Sequence, residues 1–189
     1  MSILVKNDNK EGLDAMIAYI DDSVILLSKE KKDFADNKNL KVGMEVSIYY
    51  HKDTVMTMSY PPMMGPDVVV IEDTEKPMSV MVSKFDKDLL NAEKDMYIRI
   101  SDETIVIDKD GNKVEKDTLI DKDLIVFYDI VLTSYPGQTS PKKVIVLPER
   151  ESQEIEETVK VKEILLKDEL IKNEGVIMIP LRLVGETLG

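Results

Sequence analysis

The chain has no cysteine and a single histidine, His51. Without cysteine it has no disulfide framework, no thiol nucleophile and no thiolate metal site. One imidazole leaves little scope for transition-metal or acid–base chemistry. Positive charge is also in deficit, with 25 Lys and Arg against 37 Asp and Glu, a formal net charge of −12 and a pI near 4.6. Nucleic acid and anionic lipid are captured by a positive field, so neither is an expected partner. No apolar run approaches the ~20 residues of a membrane-spanning helix, and no membrane span is expected. The opening MSILVKND has no basic stretch leading into an apolar one, so no leader peptide is visible there. No Ser-His-Asp set, Walker loop or Gly-x-Gly-x-x-Gly occurs, and carboxylates are too abundant for one pair to stand out. The expectation is a protein that is not an enzyme and carries no cofactor.

The 189 residues, 43% hydrophobic, suffice for one ordinary domain or two small ones. An ordered series of matches indicates an internal repeat. MSILV at Met1–Val5 resembles MSVMV at Met78–Val82. Tyr19–Glu30 lies over Arg99–Asp110 without a gap, keeping Ile20/Ile100, Asp22/Asp102, Ile25/Ile105 and Lys29/Lys109 identical. Leu40 then matches Leu119, Tyr49 matches Tyr128, Ser59-Tyr60-Pro61 recurs as Ser134-Tyr135-Pro136, and Pro66 recurs as Pro141.

Each copy reads as short strands. Val80–Val82, Met96–Ile100, Thr104–Ile107, Leu124–Leu132 and Val144–Leu147 are rich in Ile, Val, Tyr and Thr and are separated by polar clusters. Asp21-Asp22-Ser23 and Ser101-Asp102-Glu103 are expected to close hairpins. Gly12–Ala15 and Asp86–Glu93 have the composition of short helical turns. Small sheets remove exposed edges by curling. The expected fold is therefore mainly β: two tandem five-stranded barrel-like units, 1–76 and 77–148, of the size of an oligonucleotide/oligosaccharide-binding barrel. A charged linker at 149–158 and a strand–helix fragment at 159–189 would follow.

In that last stretch Pro180 suits the first turn of a helix, and Arg182 and Glu186 are four residues apart and can pair. Ile177-Met178-Ile179-Pro180-Leu181-Arg182, with Glu186-Thr187-Leu188-Gly189, resembles the signature of the copper amine oxidase N-terminal-like domain. Such domains occur in secreted and cell-envelope proteins of Gram-positive bacteria. The duplicated β unit also resembles segments that precede this domain in clostridial-type proteins of unassigned function. The resemblance implies an extracellular or envelope location and a cell-wall glycan or envelope protein as partner. Family members continue past the Leu-Gly into a further strand pair. A domain ending at Gly189 would leave an edge and a helix face that favour a homodimer.

The resemblance does not extend to copper chemistry, which needs several imidazoles. His51 is expected in an exposed loop. Asp108-Lys109-Asp110-Gly111-Asn112 opens like a calcium loop, but its glycine is fourth rather than sixth and position twelve is Leu119. A polar turn is the better reading. Methionines crowd the segment from Met56 to Met64, yet its copy around Tyr135 has none, so no site common to both can depend on sulfur. Tyr60 and Tyr135, each followed by a proline, are expected to pin their loops as tyrosine corners in a structural or interaction protein; the alternative is that they contact a peptide or glycan.

Overall fold

A computed structural model describes residues 1–7, 14–73 and 78–148, together with the backbone pairing of four later strands. The chain is mainly β. Its described helical turns are two short 3-10 segments, Asn37–Asn39 and Lys116–Leu119. Strands β1 to β7 are Ser2–Lys6, Ala15–Tyr19, Ile25–Ser28, Asp33–Phe34, Val46–Tyr49, Met63–Met64 and Val68–Ile71. Strands β8 to β13 are Ser79–Phe85, Met96–Ile98, Ile105–Asp108, Lys122–Tyr128, Gly137–Thr139 and Lys143–Val146. Thr158–Val161, Glu163–Leu165, Ile171–Asn173 and Val176–Met178 form β14 to β17.

The sheets are ordered β15-β1-β2-β6, β14-β5-β7-β3-β4 and β10-β13-β11-β8, with separate pairs β9/β12 and β16/β17. Among the described residues none closes on itself. The two halves share pairings as well as order. β3 and β7 run parallel, as do β10 and β13, while β5 and β11 lie antiparallel on the other side of β7 and β13. β6 joins β2 in parallel just as β12 joins β9.

Register makes the correspondence residue-specific. Ile25 faces Val68 as Ile105 faces Lys143, and Tyr49 faces Val68 as Phe127 faces Lys143. Tyr49 is thus the counterpart of Phe127, one residue away from the tyrosine that sequence identity pairs with it. One residue matters because successive side chains point to opposite faces. Tyr49 and Phe127 enter one common core, whereas Tyr128 packs against another.

That alternation builds three cores. Leu26, Ile48, Val69 and Ile71 face Ile3, Val5, Met16 and Ala18 inside the first half. Leu124, Val126 and Val144 cluster with Phe85, Ile98 and Leu119 inside the second. The opposite faces of the same central strands bring Leu27, Tyr49, Val68 and Val70 against Val82, Ile125, Phe127 and Ile145. Strands covered on both faces read as continuous apolar runs, as β7 does with all four residues buried. At ~1.5–3 kcal/mol for each large side chain buried, the shared middle core is the main tie between halves.

Two polar contacts cross the same junction. The buried Tyr49 hydroxyl donates to the Val80 carbonyl at 3.0 Å. Burial, then the Glu72 carboxylate and Tyr128, pushes the Tyr49 pKa far above the usual phenol value and keeps the hydroxyl a donor. Lys143 Nζ donates to Asp33 Oδ1 at 2.7 Å and lies 5.9 Å from the Phe34 ring centre. Burial works to raise the Asp33 pKa, but the bond from Lys143 and the Phe34 N–H outweigh it and hold the carboxyl below its usual value.

Several local expectations change. Asp21-Asp22-Ser23 and Ser101-Asp102-Glu103 do not close hairpins, because β2 and β3 lie in different sheets, as do β9 and β10. They are corners: Asp21 Oδ1 accepts from the Ser23 amide at 2.8 Å and hydroxyl at 2.6 Å, fixing an Asx turn. Asp86–Glu93 is turn rather than helix. Asp86 Oδ1 captures the amides of Asp88 and Leu90 at 2.8 and 3.0 Å, and Leu89 takes a positive φ of 59°. Of the matching Gly12–Ala15 segment, Gly12 and Leu13 lie outside the described residues, and Ala15 opens β2.

The Met1–Val5 and Met78–Val82 likeness also misplaces a strand, since β1 pairs with β2 whereas β8 pairs with β11. The calcium-like opening is a turn tied by its own side chains. Asp108 Oδ1 accepts from the Asp110 and Asn112 amides at 2.9 and 2.8 Å, with Gly111 at φ 84°.

Candidate functional site

The Ser-Tyr-Pro segments connect the central strands to the outer ones. One runs from β5 to β6 and the other from β11 to β12, at equivalent places in the two halves. In each, serine ties the loop across its own turn. Ser59 Oγ donates to the Pro61 carbonyl at 3.1 Å, and Ser134 Oγ donates to the Pro136 carbonyl at 2.8 Å. Both tyrosine–proline peptide bonds are cis.

The anchoring differs in detail. In the first loop Thr57 Oγ1 accepts from the Met63 amide at 2.8 Å and bonds the Ser59 hydroxyl at 2.6 Å. In the second, Thr139 Oγ1 donates to the Ile130 carbonyl at 2.6 Å, and the Leu132 amide donates to the Gln138 carbonyl at 2.8 Å. Gly137 makes room here: a Cβ on it would stand 3.0 Å from Val131 Cγ1 and 3.4 Å from the Asp95 carbonyl oxygen.

With backbone and hydroxyls engaged, the tyrosine rings turn outward. Tyr60 is 62% exposed and Tyr135 is 89% exposed. Tyr60 Oη reaches Asp14 Oδ2 only at 3.5 Å, the outer limit of a hydrogen bond. Neither ring is the buried pin of a tyrosine corner. Apolar neighbours are exposed with them: Val55 and Met58 in the first loop, Ile130, Val131 and Leu132 in the second. Those last three belong to the run Leu124–Leu132, which sequence reading assigns entirely to a strand; β11 ends at Tyr128. An exposed aromatic ring with an apolar rim and a hydroxyl at its tip can stack on a sugar face or a peptide and hydrogen-bond there.

The two tyrosines are not brought into one pocket. β6 belongs to the outer layer over the first core and β12 to the outer layer over the second, with the shared core between. They form two separate copies of one kind of surface. The crowded methionines divide between roles: Met64 is buried in the first core and Met56 packs against it, whereas Met58 is exposed.

His51 is buried, not exposed. Its Nδ1 accepts from the Asp53 amide at 3.1 Å. Tyr50 beside it is also buried, so the chain stays in the core two residues past β5 before turning out. Among the described residues no group of three or more His, Asp or Glu is placed to hold a metal, and no helix is long and apolar enough to cross a membrane. Pro180, Leu181, Arg182, Glu186 and Gly189, with the helix expected there, lie outside the described residues, as does 149–157 of the charged linker. No protein-family model, curated protein or solved structure matches this chain.

Proposed function

We propose that this chain is a non-catalytic structural or interaction protein of an extracellular or cell-envelope setting, whose Ser-Tyr-Pro loops offer Tyr60 and Tyr135 to a peptide or cell-wall glycan. One observation carries the reading: the same serine-tied turn holds an exposed tyrosine at equivalent places in both halves. Two like surfaces on a body joined by a common core suit a ligand with repeated units, because linked weak contacts gain avidity. We read each half as a small barrel-like unit, supported by the enclosure of its own core between an outer layer and a central sheet. The envelope setting rests on the resemblance of 159–189 to the copper amine oxidase N-terminal-like domain.

The test is retention on insoluble peptidoglycan by the protein and by a Tyr60→Ala, Tyr135→Ala double variant. Loss of two stacking contacts should weaken retention by at least about tenfold, or ~1.4 kcal/mol. Equal retention by both proteins would reject the loops as contacts and leave a scaffold role.

A further inference from the structure

Beside β11 in the second half lies β8, with Val80–Ser83 standing opposite Phe127–Leu124. The corresponding place in the first half is beside β5, where Thr158–Val161 stands opposite Tyr49–Val46. Since Tyr49 is the counterpart of Phe127, the two ladders share one register as well as one direction. The first half therefore takes its edge strand from the other end of the chain. Glu163–Leu165 continues the arrangement by pairing with Lys6–Leu4 of β1.

We propose that the edge formed by β5 and β1 is a strand-exchange seat, filled by Thr158–Val161 and Glu163–Leu165 of the same chain in a monomer and by those of a second copy in a dimer. Three features make this occupant exchangeable. β14 and β15 are both terminal in their sheets, so releasing each breaks one ladder only. They are joined to the second half by residues 149–157, ERESQEIEE, in whose sequence Ile155 is the one apolar residue. Nine residues span at most about 30 Å when fully extended. Either version forms the same backbone hydrogen bonds, which is the condition for low-cost swapping. The surface is distinct from the Ser-Tyr-Pro loops and does not depend on their role.

Because the natural chain lacks cysteine, the seat can be read by disulfide formation between the opposed positions Lys6 and Glu163. A Lys6→Cys, Glu163→Cys double variant, oxidised while dilute, should form a disulfide within the chain. Its absence would overturn the seat. Equal amounts of the Lys6→Cys and Glu163→Cys single variants, mixed at high concentration and then oxidised, should give a mixed disulfide dimer. Its yield should be at least fivefold above that from Lys41→Cys mixed with Glu163→Cys. A yield no higher than this control would overturn exchange between copies, even where the bond within the chain forms.

Discussion

In the second half, the strand beside β11 enters from the residues just before the unit's own outer layer; in the first, the strand beside β5 arrives from beyond the whole second half. Direction and register are nevertheless shared. A sheet edge specifies its occupant by hydrogen-bonding phase and by the face its side chains must take, not by chain order. The same lesson holds at the junction, where equivalent positions carry different chemistry: Tyr49 against Phe127, and Val68 against Lys143. One half brings the hydroxyl and the other the ammonium, and each finds its partner across the shared core.

The largest effect should come from removing the side chain on which both halves rest. Phe127→Ala empties a fully buried place in the shared core and should cost about 3–5 kcal/mol. Denaturant unfolding followed by tyrosine fluorescence and by circular dichroism should give one coincident transition at lower midpoint. Two separated transitions would show that the halves are independent bodies.

Exchanging the paired aromatics sharpens the comparison. Phe127→Tyr puts a hydroxyl into the buried shared core and should cost about 1–3 kcal/mol. Tyr49→Phe removes one bond to Val80 and should cost about 0.5–1.5 kcal/mol. Equilibrium denaturation of both variants checks the order, and a larger loss for Tyr49→Phe would contradict the assigned faces.

Smaller still is Lys143→Val, which makes position 143 like its counterpart Val68. Asp33 is more than half exposed, so the pair is worth about 0–1 kcal/mol at neutral pH after solvent screening. The distinctive readout is acid sensitivity. The folded Asp33 pKa lies below its ordinary 3.8, so the contribution is full above that value and is lost as pH falls through the lower folded one. Stability measured at falling pH should decline less steeply below pH ~3.8 in Lys143→Val. Identical acid profiles would remove the pair from the junction.

Strand content was legible because Ile, Val, Tyr and Thr cluster between polar breaks, and β8, β10, β11 and β13 fall where those clusters lie. The Ser-Tyr-Pro loops were legible as equivalent turns because an identical tripeptide recurs. Pairing was not, since contacts between distant strands leave no local signature: the likeness of Met1–Val5 to Met78–Val82 conceals different neighbours. Identity also misled at Tyr49 and Tyr128, where position on a face, not residue type, decides equivalence. Composition could not separate the Asp86 turn from a helix, because a side-chain bond to two amides fixed the outcome. His51 looked exposed among polar neighbours, and only the path of the chain after β5 buries it.

The claim that one register serves both halves is tested most directly by cross-strand nuclear Overhauser contacts in the isotopically labelled protein. Contacts joining Val46–Tyr49 to Thr158–Val161, in the order that joins Leu124–Phe127 to Val80–Ser83, are the predicted result. Contacts confined to the β11 edge, with the amides along the β5 edge exchanging freely, would contradict it.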